Sequence, residues 1–387
     1  MRVQVLAPGQ APVRAARPDG SSYGGWRPRC VLGAASAGAL MLPDAHPTAA
    51  TLYAPRGVWI EADRVIAADT GNHRVMIWNR VPTASGEDAD VVLGHPDAVT
   101  EGEGLLHLPT GLLVTPEGAL VVADAWHHRL LVWDAVPTVS GTAPDHVIGQ
   151  ASLSGVSPNA GGEATAATFY WPFGIALVDG RFHVADTGNR RVLVWRDGVP
   201  RDGRPADVVL GQPDATAREE NRGDAPSAAS FRWPHAVAPM AGGGLWVADA
   251  GNHRLLGWSA HPEGDVPADR VLGQPDFSEA SEFPYVPQID RFRFPYGVVA
   301  TSSGLAVADT ANNRVLLQAE PLTGWHPTAV LAQPDLAANG ENRWEAVADD
   351  TLCWPYGLDH CATPTGELLA IADSGNNRVV LWEQTRG

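Results

Sequence analysis

Lysine is absent from this sequence, and all 27 of its basic residues are arginines. The absence excludes chemistry through a lysine Schiff base and fits the codon usage of a GC-rich bacterium. Aspartate and glutamate number 44, so the formal net charge is −17. Because nucleic-acid affinity comes largely from basic side chains that neutralise phosphates, this charge argues against a nucleic-acid partner.

Cysteine is scarce and long apolar runs are missing. The three cysteines, Cys30, Cys353 and Cys361, form no Cys-x-x-Cys pair, which argues against a disulfide framework and a thiolate zinc site. No run approaches the ~20 apolar residues of a membrane span. The apolar stretch at 30–42 begins too far along the chain for a secretory signal. We therefore expect a cytoplasmic protein with no membrane contact.

Familiar reaction motifs are also missing. The sequence has no Gly-x-Ser-x-Gly nucleophile, no P-loop, no dinucleotide fingerprint that opens a helix, and no His-Glu-x-x-His zinc motif. Carboxylates are abundant, but their spacing in the sequence does not assign any two of them to a common catalytic site. We therefore predict no catalytic residue, no metal ligand and no cofactor.

The chain does contain one short string in six near-copies of the pattern Asp-x-Gly-Asn-x-Arg followed by apolar residues. Two copies depart from this pattern, one with Trp126 and His127 and the other with Ala311. The copies are Ala68–Trp78, Ala123–Trp133, Ala185–Trp195, Ala248–Trp258, Ala308–Gln318 and Ala372–Trp382. Their aspartates lie 55 to 64 residues apart. Such a repeat is a unit that buries its apolar face only against its neighbours.

Around each string the sequence reads as four short strands separated by turn residues, the pattern of a propeller blade. Six opening segments carry Pro-x-Gly or Pro-x-Ala, at 54–57, 108–111, 171–174, 233–236, 294–297 and 354–357. Only five closing segments of the Val-Leu-Gly-Gln-Pro-Asp type follow, at 92–97, 147–152, 209–214, 271–276 and 330–335.

The missing closing segment has a counterpart at the other end of the chain. The sequence VLGAAS at Val31–Ser36 precedes the first opening segment and has no blade of its own. We predict that it forms the fourth strand of the last blade, which closes the ring and removes a free sheet edge. The predicted fold is all-β: a single six-bladed β-propeller of four-stranded antiparallel blades over residues 30–387, preceded by an extension over residues 1–29.

The repeated aspartate, asparagine and arginine are interpreted as structural, because a catalytic site is not needed six times around a ring. A carboxylate at a strand end can accept backbone N–H bonds from the turn, and the arginine can reach it. Counted from the aspartate, the fourth position holds only residue types that tolerate positive φ. We predict φ > 0 at these positions, which are Asn72, His127, Asn189, Asn252, Asn312 and Asn376.

Eight histidines are candidate zinc ligands by residue type: His73, His127, His128, His183, His235, His253, His326 and His360. His73, His128 and His253 occupy the fifth position of the string, where other copies have arginine or asparagine. We interpret them as interchangeable turn residues rather than as a metal site.

The opening segments differ from blade to blade at the residue after the proline. If the inner strands line the central channel, these six side chains lie at its mouth. They are Arg56, Thr110, Phe173, His235, Tyr296 and Tyr356. A cation, an imidazole and three aromatic rings suit a small anionic or aromatic ligand or an inserted peptide, although the same side chains could simply plug the channel. Trp171, Trp233 and Trp354, directly before the prolines, are expected to pack between blades.

The string Asp-x-Gly-Asn-x-Arg-Val with a following tryptophan resembles the NHL repeat, named for Asn-His-Leu, and the NHR triplets at 72–74 and 252–254 match it most closely. The resemblance implies a six-bladed propeller. NHL propellers include RNA-binding modules, sensor ectodomains, protein-docking scaffolds and a zinc-dependent amidating lyase. The closing segments also resemble those of soluble proteins found alongside nickel–iron hydrogenases of actinobacteria.

Two functions follow as expectations. The first is a non-enzymatic scaffold that binds a protein partner through the face carrying the long linkers, in an accessory role to a redox enzyme such as a nickel–iron hydrogenase. The alternative is a metal-dependent lyase or hydrolase at the channel mouth that uses His235. An RNA-binding propeller is disfavoured by the net charge of −17.

Overall fold

The computed structural model describes residues 23–33, 46–282, 289–319 and 324–385. These residues form six four-stranded antiparallel sheets arranged as the blades of a propeller. The helices among them are single 3-10 turns, and none has the length and apolarity needed to cross a bilayer. The prediction of an all-β, six-bladed fold is confirmed.

Strands are numbered in chain order, and β1 covers Arg27–Gly33. Blade 1 contains β2 (Gly57–Glu61), β3 (Arg64–Asp69), β4 (Arg74–Trp78) and β5 (Val91–Leu93). Blade 2 contains β6 (Leu112–Val114), β7 (Leu120–Asp124), β8 (Arg129–Trp133) and β9 (His146–Ile148). Blade 3 contains β10 (Pro172–Val178), β11 (Arg181–Asp186), β12 (Arg191–Trp195) and β13 (Val208–Leu210).

Blade 4 contains β14 (Pro234–Pro239), β15 (Leu245–Asp249), β16 (Arg254–Trp258) and β17 (Arg270–Leu272). Blade 5 contains β18 (Pro295–Ala300), β19 (Gly304–Asp309), β20 (Arg314–Ala319) and β21 (Ala329–Leu331). Blade 6 contains β22 (Pro355–Thr363), β23 (Gly366–Asp373) and β24 (Arg378–Thr385), and its fourth strand is β1.

A 3-10 turn joins the second and third strands of every blade: Thr70–Asn72, Ala125–His127, Thr187–Asn189, Ala250–Asn252, Thr310–Asn312 and Ser374–Asn376. Three further 3-10 turns lie in the linkers that join one blade to the next: Pro158–Gly161, Glu220–Gly223 and Glu341–Trp344. In an up-and-down blade these turns and linkers share one rim. We call this rim the looped face.

The ring closes through β1, as predicted. β1 runs antiparallel to β24, with Leu32 opposite Val379, and Leu93 stands opposite Val75 in the same way in blade 1. β1 begins at Arg27, inside the predicted extension, and Tyr23 packs edge-on against Trp382 at 5.2 Å between ring centroids. Residues 34–36 of the predicted strand and residues 1–22 lie outside the described residues.

The core lies between the blades rather than in one central cluster. Each of its six apolar clusters combines side chains of two adjacent blades, as where Ile66 and Ile77 of blade 1 meet Leu112 and Leu120 of blade 2. The blades also approach closely at the axis, where the opening segments carry glycine. A Cβ at Gly174 would lie 2.1 Å from the carbonyl oxygen of His235, so only glycine fits there.

Candidate functional site

The repeated aspartate and arginine form a buried ion pair in each blade, as expected for structural residues. In blade 1, Asp69 Oδ2 accepts Arg74 Nε–H at 2.6 Å and Asn72 Nδ2–H at 2.9 Å. Asp69 Oδ1 accepts the backbone N–H of Tyr53 at 2.6 Å. That donor belongs to the preceding linker and not to the turn itself, so the carboxylate fastens the linker to the blade.

The prediction of positive φ at the fourth position of the string is wrong by one residue. The fourth residue ends the 3-10 turn, and its side chain bonds to the aspartate instead. The fifth residue is left-handed, with φ of 54–57°, and its N–H bonds back to the second residue. These fifth residues are His73, His128, Arg190, His253, Asn313 and Asn377.

The fifth-position histidines are structural acceptors. His73 Nδ1 accepts the backbone N–H of Leu108, in the next blade's opening segment, at 3.2 Å. His128, His253, Asn313 and Asn377 make the same bond to Trp171, Phe294, Trp354 and Ala54. The Arg190 side chain has no acceptor atom, so it cannot make this bond. The corresponding Trp233, unlike its five counterparts, does not have positive φ.

Five of the six predicted channel-mouth residues come together at the centre of the looped face. Ring centroids are 4.4 Å apart for Phe173 and His235, 4.3 Å for His235 and Tyr296, and 4.6 Å for Tyr296 and Tyr356. The Arg56 guanidinium lies 4.9 Å from the centroid of Tyr356. We call these five side chains the aromatic ring. Thr110 is buried beneath it, and its hydroxyl donates to the Phe173 carbonyl at 2.9 Å.

The aromatic ring forms the floor of a cavity of about 210 Å³. Its wall includes Trp126, Trp171, Trp233 and Arg190. Trp126 stacks on Trp171 at 5.0 Å, so Trp171 does pack against the neighbouring blade, as expected, but at the surface. Trp126 and Arg190 were missed from sequence. Their signal is that they replace the usual glycine and acceptor residue of the string.

Burial leaves the titratable side chains His235, Tyr296 and Tyr356 of the pocket neutral near pH 7. Burial lowers the pKa of His235 to about 4, and its Nδ1 lies 2.9 Å from the Trp233 carbonyl, so the imidazole is neutral near pH 7. Burial also raises the pKa of Tyr296 and of Tyr356, which keeps both phenols protonated. Arg56 is then the cation of the aromatic ring. Such a pocket suits an aromatic or apolar group with a negatively charged end.

The channel below the pocket is narrow. A cavity of about 90 Å³ lies there between the inner strands, lined by Val58, Leu112 and Ile175 among others. Pockets that enclose a whole small-molecule ligand are usually ~300–1,000 Å³. The upper cavity of about 210 Å³ is therefore closer in size to a site for one inserted side chain.

Metal-ligating side chains do not converge on the pocket. Within the described residues, one group of three such side chains lies close enough to share an ion, and it consists of Glu103, His107 and His127 in blade 2. His235, the residue expected to serve a metal-dependent enzyme, is not part of it. Sequence reasoning considered His127 but missed Glu103 and His107, which lie in a linker outside the repeated string.

Exposed apolar side chains concentrate on the looped face. Nine large apolar side chains in the described part of the chain are exposed, and seven of them lie in the linkers or opening segments. The seven are Tyr53, Val99, Leu153, Val156, Ile289, Trp344 and Trp354, while Val139 and Val266 lie in the loops between the third and fourth strands of blades 2 and 4. Trp344 is the most exposed, at 78 %.

Comparison with known proteins supports the fold. Residues 231–258, in blade 4, match the NHL repeat. A structural genomics protein of unknown function from Bacteroides thetaiotaomicron has a similar structure, with 13% identity, a TM-score of 0.51, and coverage of 91% of this chain and 74% of that one. Virginiamycin B lyase from Staphylococcus aureus aligns with 11% identity and a TM-score of 0.45, covering 87% of this chain and 97% of its own. No curated protein matches the sequence significantly.

Proposed function

Because this chain is a six-bladed β-propeller with an NHL repeat in its fourth blade, we propose that it is a non-enzymatic scaffold. Its looped face binds a protein partner, and the pocket above the aromatic ring takes an aromatic or apolar side chain of that partner as the anchor. A carboxylate near the anchor pairs with Arg56 or Arg190. The protein acts in the cytoplasm.

The observation that carries this proposal is the pocket itself. It combines tryptophan, tyrosine and arginine side chains in a concave centre, and these three residue types dominate binding energy at protein interfaces. Exposed apolar side chains of the linkers lie on the same face. Central anchors surrounded by weaker contacts are the usual arrangement of a protein-binding surface.

The resemblance of the closing segments to those of hydrogenase-associated proteins makes a redox enzyme, such as a nickel–iron hydrogenase, the first partner to test. The protein would then assist the assembly or activity of that enzyme without taking part in its chemistry.

The test is to replace the anchors of the pocket. Proteins retained from a lysate of the source organism are identified by mass spectrometry, and the affinity of the purified partner is then measured for wild type and the Tyr296→Ala/Tyr356→Ala variant. We expect the variant to bind about 30-fold more weakly, the effect of losing a hot spot worth about 2 kcal/mol.

The matched control is Trp59→Ala, which removes an aromatic side chain from a surface cavity on the opposite rim. It should bind the partner with wild-type affinity. Thermal unfolding of each variant shows whether the blades remain folded. Equal affinity of the Tyr296→Ala/Tyr356→Ala variant and wild type would contradict the proposed anchor.

A further inference from the structure

Blade 2 carries a second site, separate from the aromatic ring. We propose that Glu103, His107 and His127 bind a divalent transition-metal ion of the zinc class at the outer part of the looped face. Their ligand atoms, one carboxylate oxygen and two imidazole nitrogens, all lie within 4.8 Å of one another.

The spacing of the three ligand atoms suits a single ion. Glu103 Oε1 lies 2.9 Å from His127 Nε2 and 3.6 Å from His107 Nδ1. Around a tetrahedral zinc ion with bonds of about 2.0 Å, ligand atoms stand about 3.3 Å apart. Small side-chain rotations therefore suffice to bring all three atoms to one ion. Two histidines and one glutamate form a known zinc ligand set, with the fourth position left for water.

The outer contacts of His127 favour this role. Its Nδ1 lies 2.9 Å from Asp124 Oδ2 and 3.2 Å from Arg129 Nη2. With a metal bound, an Nδ1 proton donated to the carboxylate would leave the Nε2 lone pair for the ion. Metal-bound histidines usually donate their second ring N–H to such a carboxylate. Asp124 is in turn held by Arg129 Nε at 2.8 Å. The His127 side chain is 8% exposed, whereas that of Glu103 is 55% exposed, so the ligand set is anchored on one side and open on the other.

All three residues depart from the repeat. His127 stands at the fourth position of the string, where the other five copies have asparagine. His107 stands at the linker position whose backbone N–H bonds to the repeated aspartate. The other blades have Tyr53, Tyr170, Arg232, Arg293 and Cys353 there. The same backbone bond that fastens each linker therefore holds His107 in place.

A simpler role for His127 and Glu103 would be to replace an amide pair. In blades 3, 4 and 6 the fourth-position asparagine exchanges two hydrogen bonds with a linker asparagine, as Asn189 does with Asn159. His127 and Glu103 make one such contact in blade 2. Replacing the amide pair by His127 and Glu103 would not require a second histidine. His107 nevertheless lies 3.6 Å from the same Glu103 oxygen. A shared ion accounts for all three residues.

The test uses untagged protein stripped of metal with a chelator and titrated with Zn²⁺ in competition with a chromophoric chelator. We expect one equivalent of Zn²⁺ per chain, and Co²⁺ should give the visible absorption of a tetrahedral nitrogen and oxygen site. His127→Asn and His107→Tyr should each weaken Zn²⁺ binding by about 100-fold or more.

Both substitutions install residues that equivalent blades already contain, so folding should be preserved, which thermal unfolding without metal verifies. His253→Asn is the matched control, because His253 is a fifth-position acceptor far from these ligands and asparagine occupies that position in blades 5 and 6. It should bind Zn²⁺ like wild type. The proposal fails if wild type binds no stoichiometric Zn²⁺, or if His127→Asn binds it with unchanged affinity.

Discussion

At the scale of single residues, the repeated string stabilises turns and linkers through buried charge pairs. Both partners of the Asp186 and Arg191 pair are fully buried, and the guanidinium also donates to carbonyls of the linkers on either side, at Thr165, Thr168 and Ala215. Because each guanidinium nitrogen donates to an acceptor, the arginine is neither a free cation nor a catalytic group. Loss of one partner of such a pair leaves a buried charge, which typically costs about 3–5 kcal/mol.

A carboxyl group outside the repeated string behaves differently. Asp359 on β22 accepts the backbone N–H of Ile60 on β2 at 2.7 Å, and no arginine contacts it among the described residues. Burial raises its pKa to about 7, and the nearby Glu61 carboxylate adds to the effect. The folded protein therefore keeps a proton on Asp359 that the unfolded chain, with a pKa near 4, has already lost.

This proton makes stability depend on pH. Between about pH 4 and pH 7 the folded state binds more protons than the unfolded state at this residue, so its contribution to the free energy of unfolding falls as pH rises. Asp359→Asn keeps an acceptor for Ile60 and removes the charge. We expect it to stabilise the protein by roughly 2–4 kcal/mol at pH 8 and by almost nothing at pH 4.

Urea unfolding of wild type and Asp359→Asn at both pH values measures this difference. An equal difference at pH 4 and pH 8 would show that the carboxyl is not held protonated.

At the scale of elements, β1 is the fourth strand of blade 6 and not an appended arm. Leu32 is fully buried opposite Val379 of β24. Leu210 of β13 is fully buried opposite Val192 of β12 in the same register. The residue after each leucine, Gly33 or Gly211, has positive φ, at 94° and 89°. β1 therefore reproduces the closing strand of the other blades, although it comes from the opposite end of the described chain.

Because Leu32 and Leu210 are packed alike, truncation of either side chain should destabilise the protein to the same extent. Leu32→Ala and Leu210→Ala should each lower the free energy of unfolding by about 2–5 kcal/mol, the range for deleting a buried leucine side chain. Urea unfolding of the two variants beside wild type provides the comparison. A near-zero effect of Leu32→Ala with a full effect of Leu210→Ala would mean that the ring is not closed by β1.

The fold could be predicted from the sequence because the six repeats define six blades and the one missing closing segment points to the strand that completes the last blade. Counting six opening and five closing segments was enough to place β1. The left-handed residue was misplaced by one position because asparagine favours that conformation, whereas here its side chain bonds to the aspartate. The aromatic ring was predicted because its residues share one position of the opening segments.

The proposed ligand set in blade 2 could not be predicted from the repeats. Glu103 lies in a linker shorter than the others, so no alignment of repeats marks it, and His107 stands directly before an opening segment, at a position where the residue type varies from blade to blade. They meet His127 only because the backbone bond from His107 to Asp124 fastens the linker to the turn. Trp126, which replaces the glycine at the third position of the string, was likewise not predicted to line the pocket, although it forms part of the pocket wall.

At the scale of the whole molecule, the two faces of the ring differ. The looped face carries the pocket of about 210 Å³, the cluster of Glu103, His107 and His127 and seven of the nine exposed large apolar side chains of the described residues. Such concentration of anchors on one face is typical of a binding surface. The linkers are long, and the repeated ion pairs hold them in place, so the shape of this surface is fixed by the fold itself.

Site-specific photocrosslinking in cells of the source organism tests most directly whether the looped face binds a partner. A benzophenone amino acid replaces Trp344, the most exposed tryptophan of the looped face, or Asp63, whose side chain is 74% exposed in the turn between β2 and β3 on the opposite rim. We predict one discrete crosslinked protein from position 344, lost in the Tyr296→Ala/Tyr356→Ala background, and none from position 63. Crosslinking from position 63, or equal crosslinking in both backgrounds, would contradict a partner bound on the looped face through the pocket.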